Sequence, residues 1–250
     1  MSKLNKNSNG YIFGYAILLT LVCGTLLAFV SEGLKEKQKA AVLLEKQQFI
    51  LKAGMGSEAL EGMTGPEITQ LYNKVVKVDI VNSKGDKLDV NEAKLSILKE
   101  YKKTNSAERS LPVYIVGKKD NPSEVESYVL PTYGNGLWDN VWAYVAIDGD
   151  LETVEGVVFD HKGETPGLGA RITDPEVQKR FEGKKIAYES NGIDAPDFQK
   201  GEVGSETYAG DPQKVDGLSG ATITAVGVND MLDTYLTLYK PYLTSKKTKL

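Results

Sequence analysis

The chain has 250 residues, of which 41% are hydrophobic and 26% charged, and a formal net charge of −4. This balance is typical of a globular protein with one or two domains, and it excludes intrinsic disorder and collagen-like structure. Beyond the tail Ser245-Lys-Lys-Thr-Lys the sequence holds no lysine- or arginine-rich block, so nucleic-acid binding is not indicated. A single cysteine, Cys23, allows no intrachain disulfide and no cysteine-ligated zinc or iron–sulfur site.

An apolar run near the start predicts a transmembrane helix over residues 11–31. Tyr11 to Val30 contains no charged residue, and its twenty residues span roughly 30 Å at about 1.5 Å each, the thickness of a bilayer core. A cleavable signal peptide has a shorter apolar region, and Ala28-Phe29-Val30-Ser31 fits its cleavage site poorly. We therefore expect an uncleaved single-pass anchor after a short tail at residues 1–10. Lysines flank both ends, so they do not set the orientation.

Residues 32–65 are predicted to form a stalk helix and linker. Apolar residues recur at helical spacing between Gly33 and Lys52, with polar residues between them, which is typical of a solvated helix. Glycines from Gly54 to Gly65 then interrupt the pattern. A globular domain is expected over residues 66–250.

This domain is predicted to be α+β. A short helix is expected over Pro66–Lys77, and Asp148-Gly149-Asp150 is expected to join the last two predicted strands as a hairpin with a glycine-bearing turn. The β-branched and aromatic runs that predict strands are Val76–Val81, Leu111–Val116, Val125–Val129, Val141–Ile147 and Val154–Phe159.

The segment His161 to Ala170 is a glycine-rich loop that follows the last of these strands. Gly167 and Gly169 lack Cβ atoms, so backbone amides can face outward and a flat ligand can lie close. A simple turn that closes a strand is the alternative interpretation. His161 is the only histidine, and without two further ligands at recognisable spacing it does not predict a metal site.

A second segment of short side chains, Asp216-Gly-Leu-Ser-Gly-Ala-Thr222, precedes an amphipathic pattern that predicts a helix ending at Pro241. A helix start offers free amides and positive partial charge, which favour a phosphate. The alternative is that Ser219 or Thr222 only caps the helix.

The other common phosphate and catalytic motifs are absent from the sequence. It contains no G-x-x-x-x-G-K-[ST] segment, no G-x-G-x-x-G after a strand and no G-x-S-x-G elbow. Hydrolase chemistry is therefore unsupported, and a site for one phosphate and one flat group remains.

Asp216-Gly-Leu-Ser-Gly-Ala-Thr222 resembles the D-x-x-[ST]-G-A-T flavinylation motif of the FMN-binding domain family, and Glu164-Thr-Pro-Gly-Leu-Gly169 resembles that family's second loop. With Pro131-Thr-Tyr-Gly-Asn-Gly-Leu-Trp138 and the anchor, the chain is similar to the C subunits of sodium-translocating NADH:quinone oxidoreductases over nearly its whole length. Two positions depart from that pattern, His161 in its spacing from Glu164 and Arg171 where a small or acidic residue is usual, so neither is given a role.

The resemblance implies that Thr222 carries covalent FMN through the cofactor's phosphate. The other cofactor-binding residues that it implies are Asp216, Ser219, Gly220, Ala221, Glu164, Thr165, Gly167, Leu168, Gly169 and Trp138. It also implies a periplasmic or extracytoplasmic domain on the inner membrane, a magnesium-dependent flavin transferase that attaches FMN from FAD, and contacts with the other subunits of the complex and with membrane lipid.

The function so implied is one-electron relay inside a sodium-pumping NADH:quinone oxidoreductase, without binding of NADH or sodium by this subunit. Three alternatives stay open at the level of sequence. They are the equivalent G subunit of the Rnf electron-transport complex, an anchored module that binds a noncovalent ligand, and a structural subunit in which both loops are turns.

Overall fold

The computed structural model describes residues 8–248, which form two compact units that divide between Lys46 and Gln47. Helix α1 (Asn9–Met55) makes up the first unit and opens the second. Its most apolar window of 18 residues has a mean hydropathy of 2.2, and the helix is long and apolar enough to cross a membrane. The predicted anchor and stalk helix therefore belong to one unbroken helix.

The folded unit begins at Gln47 rather than at the predicted residue 66. Three residues of α1, Ile50, Leu51 and Ala53, are buried in this unit. They give the last turns of the helix before Met55 an apolar side. The end of α1 falls where the sequence places its cluster of glycines, and Gly56 follows in the left-handed region with φ of 80°.

A five-stranded antiparallel sheet forms the centre of the second unit, with its strands in sequence order. All five strands predicted from the sequence are confirmed. They are β1 (Val76–Val81), β2 (Leu111–Gly117), β3 (Val125–Asn135), β4 (Asn140–Asp148) and β5 (Val154–His161).

Strand β3 runs six residues beyond the predicted end at Val129 and reaches Asn135. Pro131, which has no amide to donate to the ladder, lies inside this extension. In the structure it still pairs with Tyr144, and its carbonyl accepts a hydrogen bond from the hydroxyl of Tyr239 at 3.1 Å. This extension brings the end of the hairpin to the candidate site.

Strands β4 and β5 form the predicted hairpin, but Leu151 and not Gly149 takes the left-handed conformation, with φ of 61°. The carboxylate of Asp150 accepts hydrogen bonds from the amides of Glu152 and Thr153, both at 2.8 Å. Leu151 is fully buried, so core packing holds a backbone conformation that a leucine otherwise disfavours.

Helix α2 (Gly65–Val75) begins with a capping box, in which the backbone and hydroxyl of Thr64 both donate to Glu67. The helix confirms the predicted one but ends two residues earlier, because Val76 already enters β1. Apart from 3₁₀ turns, the remaining short elements of the described residues are α3 (Ile97–Tyr101), α4 (Pro175–Lys179), the pair β6 (Ala187–Tyr188) and β7 (Ile193–Asp194), and the pair β8 (Asp197–Phe198) and β9 (Lys214–Val215).

Helix α5 (Thr222–Lys247) covers one face of the sheet along β3. The prediction that Pro241 ends this helix is wrong, since the helix continues for six residues beyond it. The proline removes one backbone hydrogen bond, but Tyr242 and Leu243 just after it are buried in the core. Burial of these two side chains offsets the lost bond.

The other face of the sheet is covered by the last turns of α1. Gly54 lies so close that an added Cβ would come within 2.7 Å of the hydroxyl oxygen of Ser127, which donates to the carbonyl of Gly54 at 3.0 Å. The predicted α+β class is confirmed, as a meander sheet between two helical layers.

Candidate functional site

Two loops meet beside the start of α5. One, residues 162–168, leads from β5 into a short 3₁₀ helix at Gly169–Thr173, and the other, residues 216–221, is called here the acceptor loop. Gly220 has φ of 74°, and an added Cβ would lie 2.8 Å from the Cδ2 atom of Leu168. The two glycine-rich segments that the sequence singles out are therefore in contact.

Thr222 is the first residue of α5, and its side chain is exposed. The residue before it, Ala221, occupies the N-cap and makes no side-chain hydrogen bond there, and the first turn carries no acidic residue. Neither Ser219 nor Thr222 is the cap, so within the described residues the capping alternative does not account for this segment. The positive end of the helix lies beside an exposed hydroxyl.

Glu164 joins three segments of the site. One carboxylate oxygen accepts from the backbone amide of Trp138 at 2.9 Å, and the other accepts from the hydroxyl of Thr224 at 2.6 Å. Added Cβ atoms on Gly136 or Gly169 would each come within 2.4 Å of this carboxylate. These two glycines let the β3–β4 turn and the first loop close around one buried carboxylate.

The environment keeps Glu164 ionised. Burial by itself raises the pKa of this carboxyl, but the hydrogen bond from Thr224 and those from the amides of Trp138 and Asp139 outweigh it and lower the pKa below its usual value. Glu164 is only 4% exposed, so its carboxylate holds the fold of the site together from within.

Thr224 is a site residue to which the sequence analysis assigned no role. Two positions along a helix correspond to a rotation of about 200°, so Thr222 and Thr224 point to opposite sides. Thr222 is exposed, whereas Thr224 is 1% exposed and bonded to Glu164. The pairing of an acidic residue with a threonine 60 positions away leaves no local signal in the sequence.

Exposed apolar side chains lie on the segments that meet at Glu164. The most exposed is Trp138, at 70%. The others are Leu137 on the same turn, Leu168 on the first loop, and Ile223 and Val226 on α5. Where such side chains form one continuous surface, they are typical of a site that binds a ligand or a partner.

Asp216, at the start of the acceptor loop, points away from this surface. Its carboxylate is buried and accepts from the amides of Val203 and Gly204 at 2.9 and 3.0 Å. Arg180 and Glu202 contact the same loop, and sequence reasoning missed both, because they lie outside any motif and 17 to 37 residues from the loop residues they contact. Hydrogen bonds from Arg171 and Arg180 lower the pKa of Glu202 to about 2.

The two positions that depart from the family pattern each have a defined partner. The ring nitrogen Nδ1 of His161 accepts from the amide of Glu164 at 3.2 Å, which shapes the first loop. Arg171 donates both terminal guanidinium nitrogens to Glu202 at 2.8 Å.

The predicted cofactor-binding residues thus fall into two groups. Thr222, Ser219, Gly220, Thr165, Gly167, Leu168 and Trp138 are exposed, whereas Asp216, Ala221, Glu164 and Gly169 are buried. The exposed group is available to a ligand. The buried acidic pair supports the loops from behind, so its direct contact with a cofactor stays a prediction.

The segment that holds this site matches a known family of domains. The model of the FMN-binding domain family matches residues 136–237, the range from the β3–β4 turn into α5. The C subunit of the Na(+)-translocating NADH-quinone reductase of Vibrio vulnificus is 33% identical over 242 residues, covering 89% of each chain. The Haemophilus ducreyi C subunit is 33% identical over 240 residues, with 92% of this chain and 90% of that one covered.

Solved structures show the same fold. The C subunit of the Na(+)-translocating NADH-quinone reductase from Parabacteroides distasonis matches with a TM-score of 0.66 and 30% identity, over 84% of this chain and 97% of that one. The Shewanella oneidensis NqrC structure matches with a TM-score of 0.67 and 26% identity, over 82% and 97%. The chain therefore belongs to the family of C subunits of Na(+)-translocating NADH-quinone reductases.

Proposed function

We propose that this protein is a membrane-anchored flavoprotein subunit of a sodium-pumping NADH-quinone reductase, with FMN held covalently through a phosphodiester on Thr222. The observation that carries the proposal is an exposed threonine hydroxyl at the uncapped start of α5, inside a sequence that matches the FMN-binding domain family.

The residues present fit a phosphate at this position. The N-cap residue is an alanine without a side-chain acceptor, and the first turn has no acidic residue of its own. The ionised carboxylate of Glu164 is bonded to Thr224, on the side of the helix opposite Thr222. A phosphodiester keeps one negative charge, which the partial positive charge of the helix start stabilises. A side-chain cap would compete for the same amides.

The residues around Thr222 also fit a flat aromatic group. Thr165, Leu168 and Trp138 are exposed on segments that meet at Glu164, and Ile223 and Val226 add apolar surface from α5. We expect Thr165, Leu168 and Trp138 to contact the cofactor, and Glu164, Asp216 and Gly169 to hold the loops behind it.

We expect a separate flavin transferase to attach FMN to Thr222 by transferring it from FAD. The hydroxyl oxygen of Thr222 forms a bond to the FMN phosphorus, the phosphoanhydride bond of FAD breaks, AMP leaves, and the hydroxyl proton passes to a base of the transferase or to water. The exposure of Thr222 suits this reaction, since a second protein must reach it.

When bound, FMN supplies one-electron transfer, and the protein supplies binding, orientation and electrostatics. Thr222 retains the cofactor on a surface from which it would otherwise dissociate. The exposed apolar residues leave one side of the site open to other subunits of the complex. No general acid or base is required of the chain.

The N-terminal helix supports placement in the inner membrane, and we propose that residues 1–10 are cytoplasmic and that the FMN-binding domain faces the periplasm. Membrane lipid would surround residues 11–31. The other subunits of the reductase would then contact the domain on the outer side of the membrane.

Mass spectrometry of the peptide from Val215 to Lys240 tests the attachment. Protein from its native host should carry an adduct of FMN minus water on Thr222, and the polypeptide should fluoresce in a denaturing gel. Thr222→Ala should abolish both signals, whereas Thr234→Ala, a change at an exposed hydroxyl in the same peptide and outside the motif, should keep them. Fluorescence that persists in Thr222→Ala would contradict the proposed acceptor.

A further inference from the structure

Two carboxylates link the acceptor loop to residues 202–204. One lies on each segment, and each binds the backbone of the other segment. Asp216 of the acceptor loop accepts from the amides of Val203 and Gly204, and Glu202 accepts from the amide of Ser219 at 3.3 Å. Each loop thus supplies a side chain that binds the backbone of the other. We call this pair of contacts the clasp.

Arg180 lies between the two carboxylates of the clasp. One terminal nitrogen donates to the carbonyls of Gly217 and Asp216 at 2.8 and 3.2 Å, and the other donates to Glu202 at 2.9 Å. The same guanidinium is 3.6 Å from the carboxylate of Asp216, and its side chain is only 6% exposed. A planar guanidinium can hold several acceptors in fixed directions, which a lysine cannot do.

Arg171 provides an internal comparison. It also binds Glu202, through two bonds of 2.8 Å, but its other ion-pair partner is Asp174, and its side chain is 28% exposed. Both arginines neutralise the same carboxylate, yet the described contacts with backbone carbonyls of the acceptor loop come from Arg180. Removal of Arg180 should therefore free the loop, and removal of Arg171 should not.

Close packing leaves the loop little room. An added Cβ on Gly217 would lie 1.9 Å from the carbonyl oxygen of Gln199 and 2.4 Å from that of Gly201. The backbone at the first turn of the acceptor loop thus rests directly on a neighbouring segment, and the clasp fixes the residues that follow it.

We propose that Arg180 is a positioning residue that fixes the acceptor loop, and with it the direction of the Thr222 side chain, before any group is attached there. The part that concerns the attached group rests on the proposed function of Thr222. The order of the loop itself does not, since every contact of the clasp is made by the polypeptide alone.

Hydrogen exchange of the full-length protein, made without a flavin transferase and kept in detergent, tests this directly. In Arg180→Gln, peptides that cover residues 202–204 and 216–221 should both exchange at least about tenfold faster, because the charge-assisted hydrogen bonds of Arg180 to both segments are lost. In Arg171→Gln, the same peptides should change by less than about twofold. Peptides from β3 and β4 should be unchanged in both.

A second readout follows the group on Thr222. In flavinylated Arg180→Gln the fast component of the flavin's fluorescence anisotropy decay should grow, since a loop released from its contacts moves on the nanosecond scale. Arg171→Gln should match the wild type. If Arg180→Gln only lowered the stability of the protein and did not release this loop, the anisotropy decay would be unchanged.

Equal exchange in the two arginine variants, or no acceleration in Arg180→Gln, would overturn the proposal. If Arg180→Gln fails to fold, the β3–β4 peptides will also exchange fast, and Glu202→Gln then serves as the test. We expect residues 216–221 to exchange at least about threefold faster in this variant. No change in their exchange would overturn the proposal. A wild-type protein without flavin would refute the proposed function and leave the exchange result to decide the clasp.

Discussion

The two loops of the site are held by different physical means. Glu164 of the first loop is bonded to neutral donors, two backbone amides and the hydroxyl of Thr224. The acceptor loop is held by Asp216 and Glu202, whose charges are matched by Arg180 and, for Glu202, by Arg171. The first loop therefore depends on the geometry of hydrogen bonds, and the second depends on the balance of charges.

The largest effect is expected where the first loop loses its buried carboxylate. Glu164→Ala leaves the buried hydroxyl of Thr224 and the amides of Trp138 and Asp139 without this acceptor, and a buried unpaired group costs about 1–3 kcal/mol, so we expect a loss on the order of 3 kcal/mol in the free energy of unfolding. Urea denaturation measures it. Thr165→Ala, at the exposed neighbour, should change it by less than about 0.5 kcal/mol. Equal effects would show that Glu164 does not hold the loop in place.

Low pH tests the charged contacts that hold the acceptor loop. The pKa of Glu202 in the folded protein is about 2, below its usual 4.5, so its contribution to stability is complete above about pH 4.5 and is lost as the pH falls toward 2. With allowance for its partial exposure, we expect a loss on the order of 2 kcal/mol. Thermal unfolding between pH 5 and pH 2 should show a shallower decline in Glu202→Gln. Parallel curves would contradict the assignment.

A smaller effect separates the two threonines of α5. Thr224→Val removes the hydroxyl donor to Glu164 and keeps the shape, with an expected loss of about 1 kcal/mol. Thr222→Val, two residues earlier and exposed, should cost less than about 0.5 kcal/mol. Chemical denaturation of the two variants under the same conditions checks this. A larger loss of stability in Thr222→Val than in Thr224→Val would contradict the assignment of Thr224 as the buried threonine and Thr222 as the exposed one.

The smallest effect on stability is expected at the β3–β4 turn, which is bonded to Glu164 of the first loop. Trp138 is 70% exposed, so Trp138→Ala should alter the free energy of unfolding by less than about 0.5 kcal/mol. If the proposed function holds, the same change should alter the fluorescence yield of the flavin, because an indole near the ring quenches it. An unchanged yield with flavin present would remove Trp138 from the cofactor site.

Local sequence signals were sufficient for the regular elements and insufficient for the support of the site. Runs of β-branched and aromatic residues located five strands, and helical spacing after Thr222 located the start of α5. Pro241 misled, since it lies inside the helix that it was predicted to end, and Pro131 lies inside β3, which runs beyond its predicted end. Burial of neighbours such as Tyr239 and Tyr242 outweighs a missing amide.

The contacts behind the loops could not be predicted for a different reason. Arg180 meets the carbonyl of Gly217 across 37 positions, and Thr224 meets Glu164 across 60. Nothing in the spacing of single charged residues or threonines shows which of them will be neighbours after folding. The motifs marked the segments that need small side chains and tight turns. The residues that contact these segments could be identified only in the folded structure.

The position of α5 after every other described element has a consequence for biogenesis. The five strands pair with their neighbours in sequence, so the sheet can assemble as the polypeptide is made. Yet Tyr239 donates to the carbonyl of Pro112, 127 residues earlier, and the face of the sheet beneath it stays uncovered until that tyrosine has been synthesised. Packing of α5 therefore completes the surroundings of Thr222, and a chain truncated before α5 leaves exposed the apolar face of the sheet that this helix covers.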